Sequence, residues 1–287
     1  MPHHSASNAS SFALPDHAVI ELIGPDAEAF CHAQFASDVK SLAPGQWQWS
    51  AWLTPKGRVI ALFALCRISA DRLMLVLPDA PVGEVVAGLQ RFVFRKKVQV
   101  RLSPLQVSGV FAQAAAAAGD RLAGDDETGF ELDRSDAGQP RHWRLQTLPA
   151  AADDNAASCW RACDLRCGLP RLNPAQREQW TPQQLSLERF AAYSVKKGCY
   201  PGQEIVARTH FLGKAKRQLV LMEATAGVSP GQRVGDGERE VGDVVSVASD
   251  GATRLLLAVM PLERNASTWK IADANAQELA LRDPLAR

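Results

Sequence analysis

The sequence predicts an α+β protein that ends in a small β-barrel. Between His17 and Leu102 the apolar runs succeed one another as strand, helix, two strands, a third strand, helix and strand. That order lays helices on one face of a mostly antiparallel sheet. After Gly213 the texture changes to short alternating strands punctuated by Gly231, Gly235, Gly237 and Gly251, as a small barrel or sandwich requires. With 287 residues and 46% hydrophobic content, the chain can fill two or three units that share a core.

The elements follow in order. Residues 1–12 read as a disordered lead-in, and 13–106 as an N-terminal α+β unit. Ala18–Leu22 is its first strand. Gly24-Pro25-Asp26 opens a helix with an apolar face of Ala27, Phe30, Cys31, Ala33 and Phe35, running to Asp38-Val39. Trp47–Leu53 and Arg58–Arg67 form a hairpin through the turn Thr54-Pro55-Lys56-Gly57, and Arg72–Leu77 is a further strand. Ala80–Phe92 carries Val82, Val85, Val86 and Leu89 at helical spacing; Lys97–Leu102 alternates like a strand.

Residues 107–213 read as a second α+β unit. Its alanine run, Ala114–Ala118, suits a surface helix, and His142–Leu148 suits a strand. Cys159, Cys163 and Cys167 recur every fourth residue on one helical face. A straight helix spreads the outer two across ~12 Å, too far for one small metal cluster, so a packing face is expected. Gly168-Leu169-Pro170 ends that helix, and Leu185–Tyr193 makes a short one. Residues 214–287 hold the barrel, with strands at Gln218–Glu223, Glu240–Ala248, Arg254–Met260, Thr268–Ile271 and Glu278–Arg282. Lys214–Arg217 is a basic hinge before it.

Basic and acidic residues nearly cancel, 32 against 31, so any nucleic-acid contact must come from a local patch; this argues against a primary DNA- or RNA-binding role, and direct DNA binding is not expected. The start, MPHHSASNASS, lacks the basic and apolar regions of a secretory signal, and no apolar run is long enough for a membrane span. Six cysteines in such a chain read as reduced thiols in a cytoplasm. No P-loop, dinucleotide fingerprint, HExxH or GxSxG is present. Of the six histidines only His210 stands near reactive residues, where a Cys199/His210 pair is conceivable.

The densest stretch is Lys196–Thr209, KKGCYPGQEIVART. Gly198 and Gly202 allow positive φ or close approach, Pro201 stiffens the turn, and a helix starts at Gln203 with Glu204 in its first turn. Cys199 then stands just before a helix N-terminus beside Lys196 and Lys197, a setting that favours thiolate. The same residues equally describe a tight helix-capping turn with Cys199 as a buried apolar filler.

KGCYPGQE resembles the K-G-C-Y-x-G-Q-E signature of the YgfZ family of folate-binding proteins, with every fixed position filled. Gly24-Pro25-Asp26-Ala27, Leu53–Arg58, Arg95-Lys96-Lys97-Val98 and Gly168-Leu169-Pro170-Arg171 look like further landmarks of that family. Ala36-Ser37, Cys31-His32-Ala33 and Ser186-Leu187-Glu188 depart from its usual pattern. The resemblance implies a fold like the aminomethyltransferase (T-protein) of the glycine cleavage system: two interlocked α+β units and a barrel around a central folate cleft. It implies tetrahydrofolate, or a one-carbon derivative, as ligand. It further implies a monomeric accessory role in iron–sulfur cluster assembly and dependent tRNA modification, with iron–sulfur assembly proteins or client iron–sulfur enzymes as partners. Cys199 would be the functional thiol. Arg58, Lys197, Gly198, Tyr200, Gly202, Gln203, Glu204 and Arg208 would be candidate folate contacts, cations suiting the anionic tail and Tyr200 the flat pterin. A tetrahydrofolate-dependent aminomethyl- or methyltransferase and a non-catalytic scaffold are the alternatives.

Overall fold

A computed structural model of the chain describes residues 10–213, 215–225, 227–251, 253–264 and 268–283. Residues 1–9 of the expected lead-in and Lys214 of the expected hinge lie outside these. Phe12, also placed in the lead-in from sequence, is instead buried in a short strand, β1 (Phe12–Ala13).

The first sheet is built from β2 (Ala18–Ile23), β3 (Gln46–Leu53), β4 (Val59–Arg67), β5 (Arg72–Leu77) and β6 (Gln99–Leu102), with α1 (Ala27–Gln34) and α2 (Val82–Gln90) between them. Its order is β3-β4-β5-β2-β6, and every pairing is antiparallel. Period-two alternation explains its two buried faces. Ile20, Leu22, Phe63, Leu73 and Leu75 pack beneath Phe30 of α1 and Val85 and Leu89 of α2. Val19, Trp49, Ala64 and Met74 face the opposite way, into the main core.

That core is shared with a second antiparallel sheet in the order β1-β7-β10-β9-β8, made by β1, β7 (Gln106–Val110), β8 (Ala123–Asp125), β9 (Gly129–Asp133) and β10 (His142–Gln146). Trp49, Trp143 and Trp160 meet in it, with ring centroids 6.0 Å and 6.4 Å apart along the series. Trp160 sits on α3 (Asp154–Arg166), which Asp153 caps by accepting the Ala156 N–H. On the outer side of α3, Ser158 donates to the Ser249 carbonyl of the barrel at 2.9 Å.

After α4 (Gln203–Phe211) the strands β11 (Arg217–Ala224), β12 (Arg233–Gly235), β13 (Glu240–Asp250), β14 (Thr253–Pro261), β15 (Trp269–Ile271) and β16 (Ala274–Leu279) close a barrel. One side of it, Leu219, Val245, Leu255 and Leu257, joins the main core.

Four expectations need correction. Helix α1 stops at Gln34, because Phe35 turns extended and bridges Trp52, and Ala36 donates to the Ala51 carbonyl. The alanine run is irregular: Ala114 and Ala117 are buried, while the Ala115 and Gly119 N–H groups donate to Glu131 and Asp133. Tertiary partners there outbid helix propensity. The stretch 185–193 is a 3₁₀ turn over Leu187–Phe190, held between left-handed Ser186 and Ala191. The last strand is β16, earlier than Glu278–Arg282, and β12 was not foreseen at all.

One buried polar junction ties these layers. Arg171 donates to Asp79 at 2.5 Å, to Asp16 at 2.8 Å and to Asp164 at 3.3 Å, and exchanges backbone hydrogen bonds with the Ser246 hydroxyl of β13. Asp164 also accepts from Arg134 and Arg141. Beside it, burial holds His17 below its ordinary value, against the pull of Asp16 3.1 Å away. Burial alone would raise Asp16, but the His17 hydrogen bond and the Arg171 charge hold its carboxyl well below the usual range.

The linkage is definite in sign. Folded His17 binds fewer protons than unfolded His17, so its contribution to stability is full above about pH 6.5 and falls as pH drops through that value, with a slope of at most about 1.4 kcal/mol per unit. Asp16 and Asp164, both held low, add a second loss as pH falls through the ordinary carboxylate range. Urea midpoints measured from pH 8 to pH 4 should decline below pH 6.5, and His17→Gln should flatten the first part of that decline. A His17→Gln profile parallel to wild type would refute the assignment.

Candidate functional site

The loop Ser194–Gly202 is braced from within. The Ser194 hydroxyl accepts the N–H groups of Lys196 and Lys197, both at 3.2 Å. The Tyr200 hydroxyl donates to the Ser194 carbonyl and the Gln203 amide to the Lys197 carbonyl, each at 2.9 Å. Tyr200 and Gln203, expected as ligand contacts, thus build the loop; burial pushes the Tyr200 phenol up to about 12.

Lys197 is turned inward. Its ammonium donates to the carbonyls of His32, Phe35 and Ser37 at 2.5, 2.5 and 3.1 Å, and lies 4.9 Å from the centroid of the Tyr200 ring. These carbonyls belong to the C-terminal turn of α1 and the residues just after it, where four carbonyls of any helix lack intrahelical partners and the dipole favours a cation. Lys197 is therefore the C-terminal cap of α1. Burial pushes it down to about 8, which still leaves it charged at neutral pH. All three ammonium hydrogens are used, so a folate carboxylate finds no donor there, a correction to the role expected from sequence.

Gly202 makes the second anchor. It stands at φ +79°, and a Cβ on it would lie 2.6 Å from both the Gly57 Cα and the Thr54 carbonyl oxygen. Gly57, at φ +69°, faces Ile205 and the Gly202 carbonyl. The two strongest sequence motifs, Leu53–Arg58 and Lys196–Arg208, thus meet backbone to backbone through two glycines. Arg58 is committed here too: its guanidinium donates to the Gln179 carbonyl at 2.6 Å and to Gln184 at 3.2 Å. It ties the hairpin turn to the 179–184 loop rather than facing a ligand.

What remains on display is Cys199, which is exposed, with exposed Gly198 before it. The buried-filler reading of Cys199 fails. Gly198 has no positive φ and nothing within 4 Å of its Cβ position, so only close approach from outside would need a glycine there. Glu204 and Arg208 project from the exposed side of α4. His210 lies roughly 10 Å further along that helix, with its ring against Phe211, so no Cys199/His210 pair forms. Cys163 and Cys167 on α3 and its cap are raised by burial, Cys167 to about 12. Among the described residues no three potential metal ligands cluster.

Where Trp49, Arg134, Arg141, Cys167 and Phe190 meet, only about 10 Å³ remains. Arg134 fills the space, its guanidinium 4.5 Å and 4.4 Å from the ring centroids of Trp49 and Trp143. An open cleft of about 470 Å³ lies beside the signature, lined by Trp52, Pro55, Gly88, Arg91, Phe92 and Pro201 among others. Trp52 reaches across Gly88, whose added Cβ would come 2.6 Å from the indole. Sequence reasoning missed Trp52, Gly88, Arg91 and Phe92. Gly88, mid-helix and costly there, was the available signal.

An uncharacterized protein of Haemophilus influenzae is 29% identical to this chain over 212 residues, 73% of this chain and 72% of that protein. The tRNA-modifying protein YgfZ of Vibrio vulnificus is 26% identical over 96% of this chain and 94% of its own length. That of Klebsiella pneumoniae is 28% identical over 86% and 83%. The chain is a relative of the YgfZ proteins. No protein-family model matches it. The structure of the glycine cleavage system aminomethyltransferase T from Bartonella henselae superposes with a TM-score of 0.72 at 15% identity, over 94% of this chain and 84% of that one. The YgfZ-like chain thus has the aminomethyltransferase fold foreseen from its motifs. Among its described residues no helix is long and apolar enough to cross a membrane.

Proposed function

We propose that this chain is a folate-binding accessory protein of tRNA modification, acting in the cytoplasm in support of iron–sulfur proteins, with Cys199 as its working thiol. One observation carries the reading: Cys199 is exposed on a loop whose lysine, phenol, amide and second glycine all serve to hold it in place. A braced, displayed thiol suits contact with a cluster or a thiol-bearing partner better than packing. Kinship with the proteins named YgfZ supports the tRNA connection.

Tetrahydrofolate would enter the cleft beside Pro201, whose size and mixed lining suit a flat heterocycle with a charged tail. Trp52 and Phe92 offer apolar walls, Glu84 or Glu178 an acceptor for the pterin amino group, and Arg91 a partner for the tail carboxylates. Calorimetric titration with tetrahydrofolate under reducing conditions should give saturable one-to-one binding. Gly88→Ala, which drives Trp52 toward the cleft, should weaken it at least tenfold. Absence of binding at millimolar ligand would leave the fold as a protein-contact scaffold.

A further inference from the structure

Between α2 and β6 the chain reads Arg91-Phe92-Val93-Phe94-Arg95-Lys96-Lys97: four cations, two phenylalanines and no acidic residue. Every one of these except Val93 is exposed, Phe94 by 77% and Phe92 by 49%. Burial would ordinarily claim such rings, and a chain of near-zero net charge has no general need for four adjacent cations.

The segment is built to hold its shape. Val93 packs into the first-sheet core and serves as its root. Turn hydrogen bonds run from Phe92 N–H to the Leu89 carbonyl, from Val93 to Gln90 and from Lys96 to Val93. The Lys97 N–H donates to the Asp26 carboxylate at 2.7 Å. Arg95 is held at φ +60°, a left-handed conformation that costs a non-glycine residue energy and marks a functional candidate. It places the guanidinium 5.0 Å from the Phe94 ring centroid, beside an otherwise open aromatic face.

We propose that this loop is a docking surface for single-stranded RNA. Stacking faces interleaved with phosphate-binding cations are what an unpaired strand needs, and each base supplies a flat partner without regard to sequence. Glu178 in the adjoining cleft offers an acceptor to a base that carries an amino group, while Glu84 there is paired with Arg177 at 2.9 Å. Phe92 shares that cleft with Pro201, so RNA held by the loop lies next to the loop that displays Cys199. The choice of tRNA as the natural strand rests on the accessory reading above; RNA binding itself does not.

The test is fluorescence anisotropy with a labelled oligocytidylate 12-mer and with bulk tRNA, using the full chain. Phe94→Ala should weaken binding about 5- to 100-fold, and Arg95→Gln/Lys96→Gln should reduce the log–log salt slope by about 1.4. Phe211→Ala, at an exposed ring on α4, should leave both unchanged. Thermal melts matching wild type show that each variant folds. Equal RNA binding by wild type and Phe94→Ala overturns the proposal, as does binding to phosphatidylserine vesicles with none to RNA. Tetrahydrofolate titration of Phe94→Ala separates the two claims. Folate bound by a chain that never binds RNA sinks only this proposal, and RNA bound by a chain that never binds folate sinks only the folate reading.

Discussion

Gly202→Ala should lower stability by about 3 kcal/mol or more, which for a chain of this size is roughly 5 °C or more in melting temperature. Two costs add. An alanine at φ +79° is strained whatever surrounds it, and its Cβ would press at 2.6 Å on the Gly57 Cα and the Thr54 carbonyl oxygen, both backbone atoms. Neither can swing aside as a flexible side chain could. Gly198→Ala is the matched control, since it meets open space at an ordinary φ and should stay within about 0.5 kcal/mol of wild type. Chemical denaturation of the pair settles it: equal midpoints would mean that the two turns do not meet as described.

Lys197→Met should cost roughly 3–5 kcal/mol, because it keeps the stem and strips the donors from three carbonyls around the end of α1. Neighbouring Lys196→Met, on an exposed side chain, should cost less than about 0.5 kcal/mol. The readout that separates capping from ligand binding is tetrahydrofolate affinity at a temperature where the variant remains folded. A Lys197→Met protein with wild-type stability and lost folate binding would restore the tail-anchoring role and end the capping one.

The sequence was most legible where pattern and local chemistry agree. Alternation placed β2 to β6 and most of the barrel, since one face of each strand had to be buried. Pro201-Gly202-Gln203-Glu204 marked the start of α4 to the residue. It failed where a distant partner decides. Nothing near Phe35 says that α1 must stop there; the stop depends on Trp52, and its capping cation comes 160 or more residues later. Alanine propensity spoke for a helix at Ala114–Ala118, but the partners that prevent it lie on β9 and at its end. At the site, the signature residues stood out as chemically special without revealing that most serve to shape the loop. The cleft escaped notice because its lining is gathered from the β3–β4 turn, α2, the 177–178 segment and Pro201.

The Arg171 junction bears on how the chain is made. A ribosome delivers Asp16 and Asp79 first, and the arginine that neutralises Asp79 follows 92 residues later, roughly 5–20 s of synthesis. Until then those carboxylates must stay hydrated, so the faces they border cannot dry and close. The first sheet can form behind the ribosome, but its docking on the second sheet and the barrel has to wait for a residue from the far side of α3.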